Sequence, residues 1–370
     1  MKEDRYWIWF QLVFGPGSRR SQQMMDRFES PREIYEAAVD RGTAREAMTP
    51  AELAAAAPAM EQAALTEKRT RDKGVDILTP DSPLYPGLLH NIYAKPAVLY
   101  VRGDISCLRD CVCIAMVGAR ECTGYGRKAA GELAADLCRS GVVIVSGLAH
   151  GIDSAAHQGA LRVGGSTVGL LACGMDVDYP RGAFPLKKEI CKNGAVVTEF
   201  PLGAAPKPYM FHMRNRIISG VSRGVVVVEA ARKSGSMVTV SHAKDQNREV
   251  FAVPGDIFSA VQEGPHHLIQ DGAKLVTCAG DILAEYGICP EARESRNAPA
   301  AMAQPDKSPP RLPTGGGAQA VYALLNTKPQ GVEQLASLSA LPVGELQEAL
   351  TELELEGLAQ SLPGRRFVKK

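Results

Sequence analysis

The chain has little of several things, and each shortage narrows what it can be. Aromatic residues make up 6% of its 370 positions, and only two are tryptophan. The formal net charge is +1, from 42 Lys and Arg against 41 Asp and Glu. That balance excludes a protein coated in basic charge, so any contact with nucleic acid has to be a local patch. Long apolar runs are missing: Trp7 to Phe14 follows a start of mixed charge, Met1 to Arg5, and is too short to span a bilayer. No targeting signal and no membrane association are therefore expected, and a cytoplasmic location is. The nine cysteines, at 107, 111, 113, 122, 138, 173, 191, 278 and 289, form no CxxC pair. They read as small hydrophobes in a reducing compartment, with neither zinc nor structural disulfides expected. The most local shortage is of negative charge. From Pro201 to Val228 there is no acidic residue, while Lys207, Arg214, Arg216, Arg223 and the aromatic Phe211 lie between Glu199 and Glu229. Single-stranded nucleic acid is held by cations along its phosphates and aromatic faces for its bases, so this interval is the first place to look for a ligand.

What is present is ordinary globular composition, 45% hydrophobic and 22% charged, in a chain long enough for two or three domains. Residues 1–75 read as a small helical domain of the helix-hairpin-helix or SAM kind. Leu12-Val13-Phe14-Gly15-Pro16-Gly17, followed by Arg19 and Arg20, reads either as a turn whose amides approach a phosphate or as a structural turn. From 76 to 287 the pattern becomes β/α alternation, with apolar runs at 112–117, 142–145, 167–171, 195–198, 225–228, 250–253 and 274–276. Helical stretches fall at 125–139 and 152–162. Strands that are apolar throughout imply a sheet covered on both faces, an α/β Rossmann-like, doubly wound, mostly parallel sheet. Residues 288–316 break the pattern with repeated prolines and the run Gly315-Gly316-Gly317, a linker. Three amphipathic helices and a hairpin in 317–370 then predict a winged-helix domain. Its last helix is crowded by Glu345, Glu348, Glu352, Glu354 and Glu356, which favours protein contact over DNA for this domain.

In an open parallel sheet, ligands sit at the carboxyl ends of the strands, beside helix N-termini. Val117-Gly118-Ala119-Arg120 ends one strand, and Gly124-Tyr125-Gly126 opens the next helix. These glycines let amides face an anion that Arg120 clamps. The spacing misses the dinucleotide fingerprint, so NAD is not expected. Ser146-Gly147-Leu148-Ala149-His150-Gly151 leads into a helix with Asp153 and His157. A hydrolase reading of Ser146, Asp153 and His157 lacks a GxSxG, and Asp153 and His157 are a plain i,i+4 pair; an anion-binding turn is preferred. Lys233-Ser234-Gly235-Ser236 lacks the Walker glycines but makes a phosphate-receptive nest. Asp245, Glu249, Asp256 and Asp271 are dispersed, with no two-metal pattern. Phosphate turns without a nucleophile, base or metal cage suggest a binder of an extended phosphodiester.

Six motifs in this chain resemble the DNA-processing protein A (DprA/Smf) family. They are Asp81 to Pro86 with Leu99 to Asp104, Ser146 to His157, Arg214 to Ser219, Lys233 to Ser236, Val250 to Gly255 and His267 to Ala273. The resemblance covers roughly 78–287, and the flanking helical module and winged helix agree with it. It implies a cytosolic bacterial protein that binds incoming single-stranded DNA during natural transformation and loads the recombinase RecA onto it. It also implies a Rossmann-like domain that forms a homodimer, with no known turnover and no cofactor. The family's phosphate-binding arginine falls on Arg120, its strand-gripping lysine and aromatic on Lys207 and Phe211, and its Arg-Asn-Arg on Arg214, Asn215 and Arg216. The expected DNA-contacting set is thus Gly118, Arg120, Ser146, Gly147, Lys207, Phe211, Arg214, Asn215, Arg216, Lys233, Ser234, Gly235 and Ser236. The chain departs from the family at Ala119, at His150 in place of arginine, at His212-Met213, and at Gln246-Asn247 where a glycine is usual. The reading from another class is a Rossmann-like enzyme that hydrolyses a nucleotide or nucleotide-sugar bond at the Ser146–His157 turn.

Overall fold

The structure, a computed structural model, describes residues 3–39, 44–288, 316–326, 329–339, 341–356, 358–362 and 366–369. They fall into two compact units, one ending at 288 and one beginning at 316. Apart from its two end residues, the expected linker lies outside the described residues.

The first unit begins with helices α1 (Glu3–Phe14), α2 (Arg19–Met25), α3 (Pro31–Val39), α4 (Ala44–Ala47) and α5 (Pro50–Asp72). Thr49 starts α5 with a capping box: its hydroxyl accepts from the Glu52 amide while the Glu52 carboxylate accepts from the Thr49 amide. The sheet strands are β1 (Asp76–Leu78), β2 (Leu99–Gly103), β3 (Cys113–Val117), β4 (Val143–Ser146), β5 (Thr167–Leu171), β6 (Gly194–Thr198), β7 (Gly224–Val227), β8 (Glu249–Ala252) and β9 (Lys274–Leu275). Between them run α6 (Cys107–Asp110), α7 (Gly124–Arg139), α8 (Ile152–Arg162), α9 (Phe184–Ile190), α10 (Pro208–Gly220), α11 (Gly235–Asp245) and α12 (Glu263–Gln270), with α13 (Ala279–Leu283) after β9. The strand order is β1-β2-β6-β5-β4-β3-β7-β8-β9. Strands β6 to β9 in that order are parallel, and β2 and β1 extend the sheet antiparallel. These two edge strands were not among the expected ones. β1 has only three residues and β2 exposes Arg102 and Gly103, so they lack the uninterrupted apolar signal of the parallel strands.

Every residue of β3, β4, β5, β6 and β7 is buried, as a sheet covered on both faces requires. Successive side chains alternate between the faces. Ile114 and Met116 pack with Leu133 and Leu137 of α7 and Ile152 of α8, while Ala115 and Val117 pack with Ile217 of α10 and Val240 of α11. The N-terminal helices share a core with the sheet: Trp9, Phe10 and Ile34 cluster with Tyr100, Val196 and Leu171. The Trp7 indole donates to Asp81 (2.6 Å), and Gln11 donates to the Glu199 carbonyl (2.7 Å). A packed boundary, and not a gap, thus separates the helices from the sheet.

The second unit contains α14 (Gly316–Leu324), β10 (Gln330–Gly331), α15 (Val332–Ser339), α16 (Val343–Leu355), β11 (Ala359–Leu362) and β12 (Arg366–Lys369). Leu335, Leu346, Leu350 and Leu353 fill its core beside the sheet β10-β12-β11. This is a winged helix, with β10 as a third strand beyond the expected hairpin. The turn at Pro363-Gly364 lies outside the described residues. Among the described residues, no helix is long and apolar enough to cross a membrane.

Candidate nucleic-acid interface

From β3 the chain winds through β4, β5 and β6 on one side, then returns to β7 on the other. The crevice beyond the carboxyl ends of β3 and β7 is therefore the topological switch point, where such sheets take their ligands. A cavity of about 660 Å³ opens there. Gly118, Ala119 and Arg120 line it from β3, Ala149 and Asp153 from the β4–α8 turn, and Tyr179 from beyond β5. Pro206, Phe211, Arg214 and Asn215 line it from α10 and its approach, and Ser234, Gly235 and Ser236 from the start of α11.

Three turns were expected to hold an anion, and the structure separates them. At the start of α7, the Glu229 carboxylate accepts from the Thr123 amide (2.8 Å) and hydroxyl (2.5 Å). A side chain at Gly126 would collide with that carboxylate. Gly126 is small to admit the protein's own anion, and this turn is not open to a phosphate. At the β4–α8 turn, the Asp153 carboxylate accepts from the amides of Gly147 (3.1 Å) and Ala149 (3.3 Å). The Gly147 carbonyl in turn accepts from Arg214. Both backbone groups of Gly147 are engaged, which corrects its expected role. The start of α11 differs. Its first amides have no intrahelical partner, and the Ser234 hydroxyl is buried without one. Ser236 donates to the Gly118 carbonyl (2.9 Å), tying the turn to β3. Of the three turns, this is the one in which no carboxylate of the chain accepts from the backbone amides among the described residues. Lys233 is exposed and stands outside the cavity lining.

The acid-free interval divides as sharply. Phe211 is half-buried at the cavity wall, with the Arg120 guanidinium 5.2 Å from its ring centroid and Tyr179 edge-on at 5.4 Å. Lys207 is exposed at the N-cap of α10, between Pro206 and Pro208. Arg214 is buried at the cavity floor, 6.0 Å from the Phe211 ring, and donates to the Gly147 and Leu170 carbonyls. Burial lowers its pKa to about 10, still far above neutral pH, so it carries a fixed charge under the site. Asn215 donates to the Gly235 carbonyl (3.1 Å) and ties α10 to α11. Arg216 does not extend the groove. It is buried, and its guanidinium donates to both oxygens of the Glu199 carboxylate at 2.6 Å. It also packs against Gly17, whose φ is +53°. The Gly15-Pro16-Gly17 turn is thus seated on Arg216, and Arg20 is paired with Glu52; the turn is structural.

Two further residues turn away from the cavity. Ser146 is fully buried and donates to the Met116 carbonyl (2.6 Å), so its expected DNA contact is not made by its side chain. His157 is also fully buried. Thr167 donates its one hydroxyl proton to the Ile144 carbonyl, so His157 Nδ1–H donates to Thr167 (2.7 Å). The serine and the histidine named in the hydrolase reading are therefore both buried and hydrogen-bonded within the fold. Burial holds the His157 pKa down to about 3, against an ordinary 6.5. Because the folded value lies below the unfolded one, stability is full above pH 6.5 and declines as pH falls from there toward 3. Acidification from pH 7 to pH 5 should cost the fold about 2 kcal/mol at this residue. His157→Gln should flatten that part of the pH dependence, measured by urea unfolding at both pH values.

Residues 76–287, more than half of the chain, match the family model for DNA recombination-mediator protein A. The chain belongs to the DNA recombination-mediator protein A family. A second family model, the DprA winged helix domain, matches 304–365. The DNA processing protein DprA of Bacillus subtilis (strain 168) is 43% identical over 215 residues, 58% of this chain and 72% of that protein. The X-ray structure of DNA processing protein A from Streptococcus pneumoniae is similar with a TM-score of 0.66 at 34% identity, covering 76% of this chain and 97% of that one. DNA processing protein A from Helicobacter pylori, solved for insight into its single-stranded DNA binding mode, gives 0.52 at 28% identity, covering 57% and 95%. Within this DprA-family chain, the departure at Gln246-Asn247 has a physical account. Asn247 has φ of +54°, and asparagine is the residue that best replaces glycine in that conformation. His150 is exposed beside the cavity residue Ala149.

Proposed function

We propose that the chain binds single-stranded DNA along the carboxyl rim of its parallel sheet, without chemical turnover. In this reading it is a cytoplasmic recombination mediator that passes the strand to a RecA recombinase during natural transformation. The observation that carries the DNA contact is Phe211 at the switch-point cavity with Arg120 over its ring: an aromatic face for a base beside a cation for its phosphate. Arg120 and Lys207 supply the exposed charge, the α11 turn of Ser234, Gly235 and Ser236 supplies amides, and Gly118 and Asn215 hold the walls together. The reading divides the chain into a helical domain (1–75), a Rossmann-like domain that also forms the homodimer (76–287), a linker (288–316) and a winged helix (317–370). The glutamates of α16 suit that last domain to protein contact, so removing 317–370 should leave strand binding nearly intact.

The test is a salt titration of binding to single-stranded and duplex oligonucleotides of equal length. The single strand is expected to bind more tightly, with log K falling by about 0.7 per log unit of salt for each phosphate held. A preference for the duplex would overturn the reading. For the recombinase step, the protein should speed RecA filament growth on a strand coated with single-strand-binding protein; unchanged growth would remove RecA from the proposal.

A further inference from the structure

The same rim carries a second aromatic group that the switch-point cavity does not use. Phe258 is 90% exposed and Ile257 75% exposed, on the loop that follows β8. The two are adjacent in sequence and, with the half-exposed Tyr125 held at the base of the same loop, put apolar surface together at one place. The loop is an ordered turn: the Asp256 carboxylate accepts from the Phe258 amide (2.9 Å), and the Asp256 carbonyl accepts from the Ser259 amide (3.1 Å). This turn holds Phe258 outward and occupies one oxygen of the nearest acid. Tyr125, 52% exposed at the start of α7, donates its hydroxyl to the Pro254 carbonyl (2.6 Å) and so fixes its ring beside the base of the loop. Lys128, exposed one helical turn on, shares the face of Tyr125.

The strand order places this group in line with the first. Along the carboxyl rim the sequence of ends is β5, β4, β3, β7, β8. Tyr179 and Phe211, with the Arg120 guanidinium 5.2 Å from the Phe211 ring, form the group at one end, and Tyr125 with Phe258 stands at the β8 end. Four strand spacings make about 19 Å, which at roughly 3.4 Å per stacked nucleotide is about five or six nucleotides. That falls within the site sizes of stacking grooves that track a single strand.

We propose that Phe258, supported by Tyr125, is a second base-stacking platform. It would take a base of the same DNA strand several nucleotides from the one at Phe211, with Arg120 at the phosphate beside the first base and Lys128 at one beside the second. This inference rests on the reading of the rim as a single-strand site, and its occupant is the continuation of that strand. The test compares oligothymidylates of about four and about sixteen nucleotides, the limits such sites span, by fluorescence anisotropy with the full chain. Phe258→Ala should weaken the long oligomer by about fivefold or more, the lower limit for one lost stack, and leave the short one unchanged. Phe258→Trp should restore the long one. Phe211→Ala should weaken both. Wild-type affinity of Phe258→Ala for both lengths, with Phe211→Ala weakened, would overturn the second platform and leave the first standing. An altered oligomeric state of Phe258→Ala with unchanged DNA affinity would reassign the loop to protein contact. Failure of the wild-type chain to bind either oligomer would overturn the whole reading of the rim. Because Phe258 is almost wholly solvent-exposed, these variants should fold as the parent does.

Discussion

Replacing Arg120 and Phe211 together by alanine should cost single-strand binding about 3–5 kcal/mol, at least a hundredfold in affinity. Loss of a stacking ring is worth about 1–3 kcal/mol, and loss of a charge-assisted hydrogen bond to a phosphate about 1.5–3 kcal/mol. The two losses should not simply add. The guanidinium lies 5.2 Å from the ring centroid, so each side chain orients the other, and contacting residues couple by about 0.5–3 kcal/mol. Arg120→Ala alone should also flatten the salt dependence by about 0.7 in log K per log unit of salt. Phe211→Ala should leave that slope alone, because it removes no charge. Anisotropy titrations of the two single variants and the double variant at several salt concentrations separate these effects. An unchanged slope in Arg120→Ala would mean that Arg120 holds no phosphate. Strict additivity would mean that the ring and the guanidinium act apart.

The parallel part of the fold and the place of the site were readable from the chain because both rest on strong local signals. Apolar runs such as Val225 to Val228 mark strands buried on both faces, and the carboxyl-end rule then places Arg120 and the approach to Phe211 on one rim. The role of each polar residue at that rim was not readable, because it depends on which other polar group arrives from elsewhere in the chain. Gly126 looks like a phosphate turn until Glu229 is brought against it from 103 residues later. Arg216 looks like a groove cation until Glu199 faces it from the end of β6. Ser146 and His157 look like catalytic groups until Met116 and Thr167 claim their hydrogen bonds. Tyr179 was missed, although the same carboxyl-end rule, applied to the loop after β5, would have flagged an aromatic there. Cations and carboxylates distant in sequence thus cancel within the structure, and the free charge that remains is smaller than the acid-free interval suggests.

Glu199→Ala should be the most destabilising single change near the site, at about 3–5 kcal/mol, because it leaves a buried guanidinium without its counter-charge. Arg216 is 7% exposed and Glu199 1% exposed, with two contacts of 2.6 Å between them. The Nε and Nη1 of Arg216 have no other partner among the described residues, so nothing else would satisfy the guanidinium. For a unit of this size the melting temperature should fall by roughly 10 °C. The charge and not the volume is the cause, so Glu199→Ala/Arg216→Met should recover most of the loss, since well-packed apolar replacements of a buried pair are often neutral. The same pair seats α10, which carries Phe211 little more than one turn before Arg216. It also receives the N-terminal turn at Gly17 and, through the Glu199 carbonyl, Gln11 of α1. Glu199→Ala should therefore weaken strand binding below the melting transition, although neither partner lies in the cavity lining, and Gly17→Ala should weaken it in the same direction. Wild-type melting in Glu199→Ala would mean that Arg216 reaches solvent by another path. Lowered stability with unchanged strand affinity would mean that α10 is seated by its apolar face alone.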